Sequence, residues 1–248
     1  MVWKPNGCRL RYFDKAATLN SPSSATKCLV ESKVGILAGF GDSLGNEQVH
    51  NMRALLGGGL TWSLPLDFLG REKGYLVCDH WKYNYHLLED QITLIACMRK
   101  HIRDKIIATR SSMKNIVLVT NFNIHHAFFN LSLASAVKHM HAQQLQYKLF
   151  REELKFQGYH LRLIWMSGVA VHGLRDPGGS PGLTLPRQEW INAQGRRIFV
   201  ENGGWELLDV FNMTVTRPDA TCDGVHYKGG VSKAITTVLL NMLCNRNG

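Results

Sequence analysis

Val34-Gly-Ile-Leu-Ala-Gly-Phe-Gly-Asp-Ser-Leu-Gly45 is the stretch that decides the fold. Val34 to Phe40 is an apolar run without polar alternation, the pattern of a strand covered on both faces. It passes through Gly41-Asp42-Ser43 into a segment with Val49, Met52, Leu55 and Leu56 at helical spacing, and Gly57-Gly58-Gly59 stops that helix. A buried strand leading straight into a helix is the opening half of a βαβ unit, and the rest of the chain repeats it. Strands are predicted at Tyr75–Cys78, Ile116–Thr120, His160–Met166 and Glu206–Val210. Helices are predicted from Leu87 to about Met113, with Leu88, Ile92, Ile95, Met98 and Ile102 on one face, and from Leu131 to Phe156, with Val137, Met140, Leu145, Leu149 and Leu154 as core positions. Two more are predicted at Trp190–Glu201 and at Val231–Cys244, the latter burying Ala234, Val238, Leu239 and Met242. Residues 1–33 read as an irregular segment, His172–Arg187 as a Pro/Gly-rich loop, and Trp165 and Trp205 as core. The alternation predicts an α/β fold: one domain over 1–248, a mostly parallel sheet and helices on both faces. In such a sheet the reactive residues lie just beyond the carboxyl ends of the strands.

Composition bounds the function. The chain has 248 residues, 45% hydrophobic and 19% charged, enough to bury a core and too apolar for a disordered tail. No apolar run reaches bilayer-spanning length. Lys and Arg exceed Asp and Glu by 29 to 19. The densest basic cluster, Arg99-Lys100-His101 with Arg103 and Lys105, falls in a helical pattern without interleaved aromatics. It reads as a solvated helix face, and a nucleic-acid partner is not expected. The six cysteines, at 8, 28, 78, 97, 222 and 244, show no C-x-x-C spacing, so neither a zinc site nor a thioredoxin-type site is expected. Their even number, with sequons at Asn130 and Asn212, suits an oxidising compartment. Cys8–Cys28 is the favoured bridge, because both lie in the N-terminal segment. Met1-Val-Trp-Lys-Pro5 is not a signal peptide. The expectation is therefore the lumenal piece of a longer chain rather than a cytosolic protein.

Three motifs carry chemistry. Ser43, where the first strand becomes a helix, combines a hydroxyl at the sheet edge with an amide near a helix N-terminus; an N-capping serine would sit there too. Asp223-Gly-Val-His226 precedes the closing helix. The aspartate can hold the imidazole tautomer while the other ring nitrogen faces a serine, or the motif is simply an Asx-turn before a surface histidine. Together they supply nucleophile, base and orienting acid. The third motif is Asn121-Phe-Asn123-Ile-His125-His126, after the central strand, where an asparagine amide can donate to an oxyanion. His125 and His126 are not expected to bind a metal as a pair, since neighbours on an extended segment point apart. Gly41-Asp-Ser43-Leu-Gly45 also spells the nucleophile elbow of α/β-hydrolases, but only one strand precedes Ser43 and the acid and histidine share one turn, so that fold is rejected. Trp81, in the aromatic-rich Asp79–His86, is a candidate sugar contact or core.

Trp3-Lys-Pro5-Asn-Gly-Cys8, Arg11-Tyr-Phe-Asp14, Cys28-Leu29, Gly41-Asp42-Ser43, Phe122-Asn123-Ile-His125-His126, Asp209-Val-Phe-Asn-Met-Thr214 and Asp223-Gly-Val-His226 together resemble the PC-esterase family of SGNH/GDSL-like hydrolases. That family includes trichome-birefringence-like polysaccharide O-acetyltransferases and the NXPE proteins. The resemblance covers nearly the whole chain. It implies a three-layer, flavodoxin-like SGNH fold and a secretory-pathway enzyme, in the Golgi lumen or outside the cell, tethered by a membrane anchor N-terminal to this chain. It maps catalytic roles onto Ser43, Asp223 and His226, and an oxyanion role onto Asn123 beside the Ser43 amide. The family's other oxyanion glycine is not placed; Gly57, Gly58, Gly59 and Gly74 are the candidates. His126 and Trp81 are candidate substrate contacts. The implied reaction is O-acetyl transfer to a glycan or its hydrolysis, through an acyl-Ser43 intermediate, with an acetyl donor as co-substrate, no cofactor and no metal. Two other readings stay open: a catalytically silent glycan- or protein-binding member of the same fold, and an intracellular GDSL-type lipid or thioester hydrolase.

Overall fold

The computed structural model describes residues 13, 23–41, 48, 51–52, 67–69, 88–109, 114–121, 132–173 and 182–244. Five strands, β1 (Val34–Gly41), β2 (Asp67–Leu69), β3 (Asn115–Asn121), β4 (His160–Met166) and β5 (Glu206–Leu208), pair in parallel in the order β2-β1-β3-β4-β5. Among the described residues β3 is central and buried along nearly its whole length, while β2 and β5, three residues each, stand at the edges. Short edges limit unwanted pairing with other chains.

Six α-helices accompany the described strands: α1 (Ser24–Glu31), α2 (Leu88–Thr109), α3 (Leu133–Phe156), α4 (Leu185–Gly195), α5 (Val210–Thr214) and α6 (Gly230–Cys244). Right-handed crossovers assign their sides. From β1 the chain steps outward to β2; every later crossover steps the other way, so α2, α3 and α4 share one face and the segment after β1 takes the opposite one. The packing agrees: α3 lies between α2 and α4, and α1 packs on α6. Gln48, Asn51 and Met52 in the β1–β2 connection are helical and fall within the helix expected after Ser43.

Local sequence explains where several elements depart from expectation. Residues 24–31 are not irregular. The Ser23 hydroxyl accepts the Thr26 amide at 3.1 Å and starts α1, which buries Ala25, Cys28 and Leu29. α4 begins at Leu185, five residues before Trp190, because Pro186 fits the first turn of a helix as readily as a loop. It continues through a π-helical turn, Arg196–Glu201. β5 ends at Leu208, since the Asp209 carboxylate accepts the Asn212 amide and caps α5. The predicted strand Tyr75–Cys78 lies outside the described residues, and β2 is an element the sequence pattern did not indicate.

Two core assignments are corrected. Leu145 and Leu149 of α3 are exposed; its buried line is Ala136, Met140, Gln143, Tyr147, Phe150 and Leu154. On α6, Ala234 is exposed and Val231, Ile235, Leu239 and Leu243 face the core. The basic cluster of α2 is only partly solvated. Arg99 and Arg103 both reach Glu153 of α3, at 3.1 and 2.5 Å, and both guanidinium groups lie over the Phe150 ring. Trp165 and Trp205 are core, as expected.

The Cys8–Cys28 pairing is overturned. Cys28 on α1 bonds Cys244 at the end of α6, with Cα atoms 5.7 Å apart and a sequence separation of 216. α1 packs on α6, which brings together two sulfurs that sequence distance kept apart. Cys97 is also disulfide-bonded, and Cys222 is free and exposed.

Candidate functional site

In the order β2-β1-β3, the connections leaving β1 and β3 depart to opposite faces, and the crevice between two such carboxyl ends is where ligands bind in open parallel sheets. Gly41 is in register with Asn121 at those ends. Ser43 and Asn123 each follow two residues beyond that matched pair. Both, with His126 and Trp81, lie outside the described residues, as do Gly57, Gly58, Gly59 and Gly74.

Asp223 and His226 are described, and they are in contact. His226 Nδ1 lies 2.6 Å from Asp223 Oδ2. An ionised carboxylate only accepts, so Nδ1 carries the proton and Nε2 is the basic nitrogen. The other carboxylate oxygen accepts the backbone amides of Val225 and His226 at 3.0 and 2.8 Å, and the Thr221 hydroxyl at 3.2 Å. The Asx-turn and the acid–imidazole pair are therefore one object: one oxygen shapes the turn and the other holds the ring. Burial works to raise the Asp223 carboxyl. The hydrogen bonds from the His226 and Val225 amides and from the imidazole outweigh it and hold the group far below the ordinary carboxylate range. Asp223 is thus ionised at neutral pH. The pair is half exposed, with side-chain exposures of 52% for Asp223 and 37% for His226, so it is open to a reactant.

Two sets of contacts fix this turn at the carboxyl edge. On one side it meets the chain leaving β4: the His172 amide donates to the Gly224 carbonyl at 2.9 Å, and the Tyr227 hydroxyl to the Ala170 carbonyl at 2.9 Å. Gly224 has φ +90°, and a Cβ there would run into the His172 carbonyl, so glycine is required. On the other side the first turns of α6 meet the segment after β1. Gln48 and Asn51 donate to the Ser232 hydroxyl at 3.2 and 2.5 Å, and the Thr236 hydroxyl donates to Gln48 at 2.8 Å. Gln48, five residues past Ser43, is thus joined by hydrogen bonds to Ser232 and Thr236, six and ten residues past His226 and 184 and 188 positions away in sequence.

Sequence reading identified the Asp223–His226 pair and missed its supports. Thr221 and Tyr227 flank the motif. Gln48 and Asn51, three residues apart, share a helix face toward α6, which a search for polar residues at helical spacing would have picked out. Among the described residues no group of three or more His, Cys, Asp or Glu side chains could hold a metal ion.

No family model and no curated protein matches the chain. Solved structures do. A carbohydrate acetylesterase from Sinorhizobium meliloti aligns over 85% of this chain and 98% of its own, with a TM-score of 0.54 at 12% identity. An acetyl xylan esterase aligns over 84% of this chain and 98% of its own at 13% identity, with a TM-score of 0.48. The fold is the expected α/β one, a parallel sheet with helices, and it is shared with the Sinorhizobium meliloti structure.

Proposed function

We propose that the chain is a serine-dependent carbohydrate O-acetylesterase or O-acetyltransferase acting through an acyl-Ser43 intermediate, of the PC-esterase branch. The observation that carries this reading is the Asp223–His226 pair, held at the carboxyl edge while α6 is bound to the segment that follows Ser43. Likeness to the fold of a carbohydrate acetylesterase supports the substrate class.

In this mechanism His226 Nε2 removes the Ser43 hydroxyl proton as the oxygen attacks the acetyl carbonyl. The tetrahedral oxyanion is held by the Ser43 amide and the Asn123 side chain. Collapse expels the alcohol, which takes the proton from the imidazolium, and leaves acetyl-Ser43. A water or a sugar hydroxyl then gives its proton to Nε2 and attacks the acetyl carbonyl; as the bond to Ser43 breaks, the Ser43 oxygen takes that proton back, giving hydrolysis or transfer. The negative Asp223 stabilises the imidazolium in both halves. Trp81 and His126 are assigned to sugar contact. The Cys28–Cys244 bridge supports a secretory-pathway location.

Labelling with a fluorophosphonate probe tests the nucleophile: wild type labels and Ser43→Ala does not. Equal labelling of the two overturns Ser43 as the nucleophile; an unlabelled wild type that neither releases acetate nor acetylates a glycan overturns the reading in favour of a silent binding protein. Comparing acetylated sugar with free acetate after incubation with an acetyl donor separates transfer from hydrolysis.

A further inference from the structure

We propose that Tyr227 is a positioning residue for His226, its buried hydroxyl setting the direction of the imidazole; this rests on the proposed role of His226. Tyr227 is 2% exposed, between the half-exposed His226 and the exposed Lys228. It pairs with Thr221 in an isolated antiparallel bridge, and the Lys228 amide donates to the Ala220 carbonyl at 3.1 Å, so the chain here is extended. Successive side chains of extended chain point to opposite sides. Sinking Tyr227 inward therefore turns His226 outward, toward the open edge. The 221–227 turn is closed at its base by this bridge and at its tip by Asp223.

The anchor that receives Tyr227 is itself rigid. Its hydroxyl donates to the Ala170 carbonyl, and the Ala170 amide donates to the Thr214 hydroxyl at 2.9 Å, which binds back to Val210 and Phe211 carbonyls of α5. His172 meets the Tyr227 ring edge-on at 6.3 Å and touches the Thr214 carbonyl through Nε2 at 3.1 Å. Burial pushes the Tyr227 hydroxyl up to about 12, against a hydrogen bond with Thr214, so it remains a donor across the working range. This hydroxyl links the residue beside His226 to the exit of β4, across 57 positions of sequence.

Tyr227→Phe tests the proposal, because it keeps the ring and removes only the donor. Two readouts are taken on folded protein: exchange of the His226 Nδ1 proton with water by NMR, and ester turnover. The expected result is at least about tenfold faster exchange and a kcat lower by about 10- to 100-fold with KM within twofold, the size of loss that a small misplacement of a catalytic group produces. Tyr159→Phe, far from the turn, should change neither. If Tyr227→Phe does not fold, His172→Leu, which loosens the same ring, should give about threefold to tenfold effects in the same direction. Exchange and kcat within twofold of wild type in the folded variant overturn the proposal. So does a loss of activity that only tracks the unfolded fraction. If wild type neither turns over ester nor labels at Ser43, the enzymatic reading fails, and proton exchange alone then decides the role of Tyr227.

Discussion

His226 and His139 use the same ring atom in opposite ways. Nδ1 of His226 donates to a carboxylate at 2.6 Å on a half-exposed turn. Nδ1 of His139 sits between α2 and α3, 5% exposed, 3.1 Å from the Gln91 side-chain amide nitrogen. The Gln91 carbonyl oxygen accepts from Gln143 at 2.6 Å, so its NH2 faces the ring and Nδ1 of His139 is the acceptor. The two rings are held as opposite tautomers. One setting welcomes the positive charge that acid–base chemistry creates. The other resists it: burial first, then the neighbouring Lys138 charge, lowers the His139 pKa. A histidine in a sequence is thus neither catalytic nor structural until its partner is known.

The sharpest way to break this contrast is Asp223→Asn. The backbone turn can survive, because an amide oxygen still accepts, but the hold on the Nδ1 proton is lost. Ester turnover should fall by about 10³- to 10⁴-fold on protein that is still folded at the assay temperature. A loss under tenfold would mean that the carboxylate does not serve the imidazole. Gln91→Leu should do the reverse. It strips partners from Gln143 and His139 and should cost about 1–3 kcal/mol of stability. That lowers the thermal midpoint by about 2–4 °C per kcal/mol for a chain of this size, with kcat at 25 °C unchanged. An unaltered melting curve would show that the amide network contributes nothing net.

The smallest effect is in acid. The folded value of His139 lies below the unfolded one, about 6.5. As pH falls through that window the unfolded chain binds the extra proton first, so the stability contributed by neutral His139 is complete above the ordinary histidine value and drains away below it. His139→Gln should flatten the decline in urea midpoint between pH 7.5 and 5, where the lowered carboxyls of Asp223 and Glu153 remain ionised. Parallel slopes in the two proteins would remove His139 as the source.

How much of this was legible in the sequence varied with the length of the signal. β4 matched its predicted span, and β3 gained one residue at each end, because β-branched and apolar runs bounded by polar residues have few other solutions. α3 was legible as a helix but not in its facing. Its buried line steps by four and three through residues 136, 140, 143, 147, 150 and 154, and Gln143 and Tyr147 stand on it; following only aliphatic residues led onto Leu145 and Leu149, on the far side. Three-residue β2 is too short for any period to register. The acid–imidazole pair was legible because one turn brings Asp223 and His226 together. Gln48 with Ser232 and Cys28 with Cys244 were not, since these pairs meet only through the packing of whole elements.

The bridge between Cys28 and Cys244 turns the described strands and nearly every described helix into one covalent ring. Tension arriving along the backbone from outside that interval crosses from α1 to α6 through the two sulfurs and never loads the sheet. Pulling on the chain from outside the ring would leave the crevice at the strand ends in its shape.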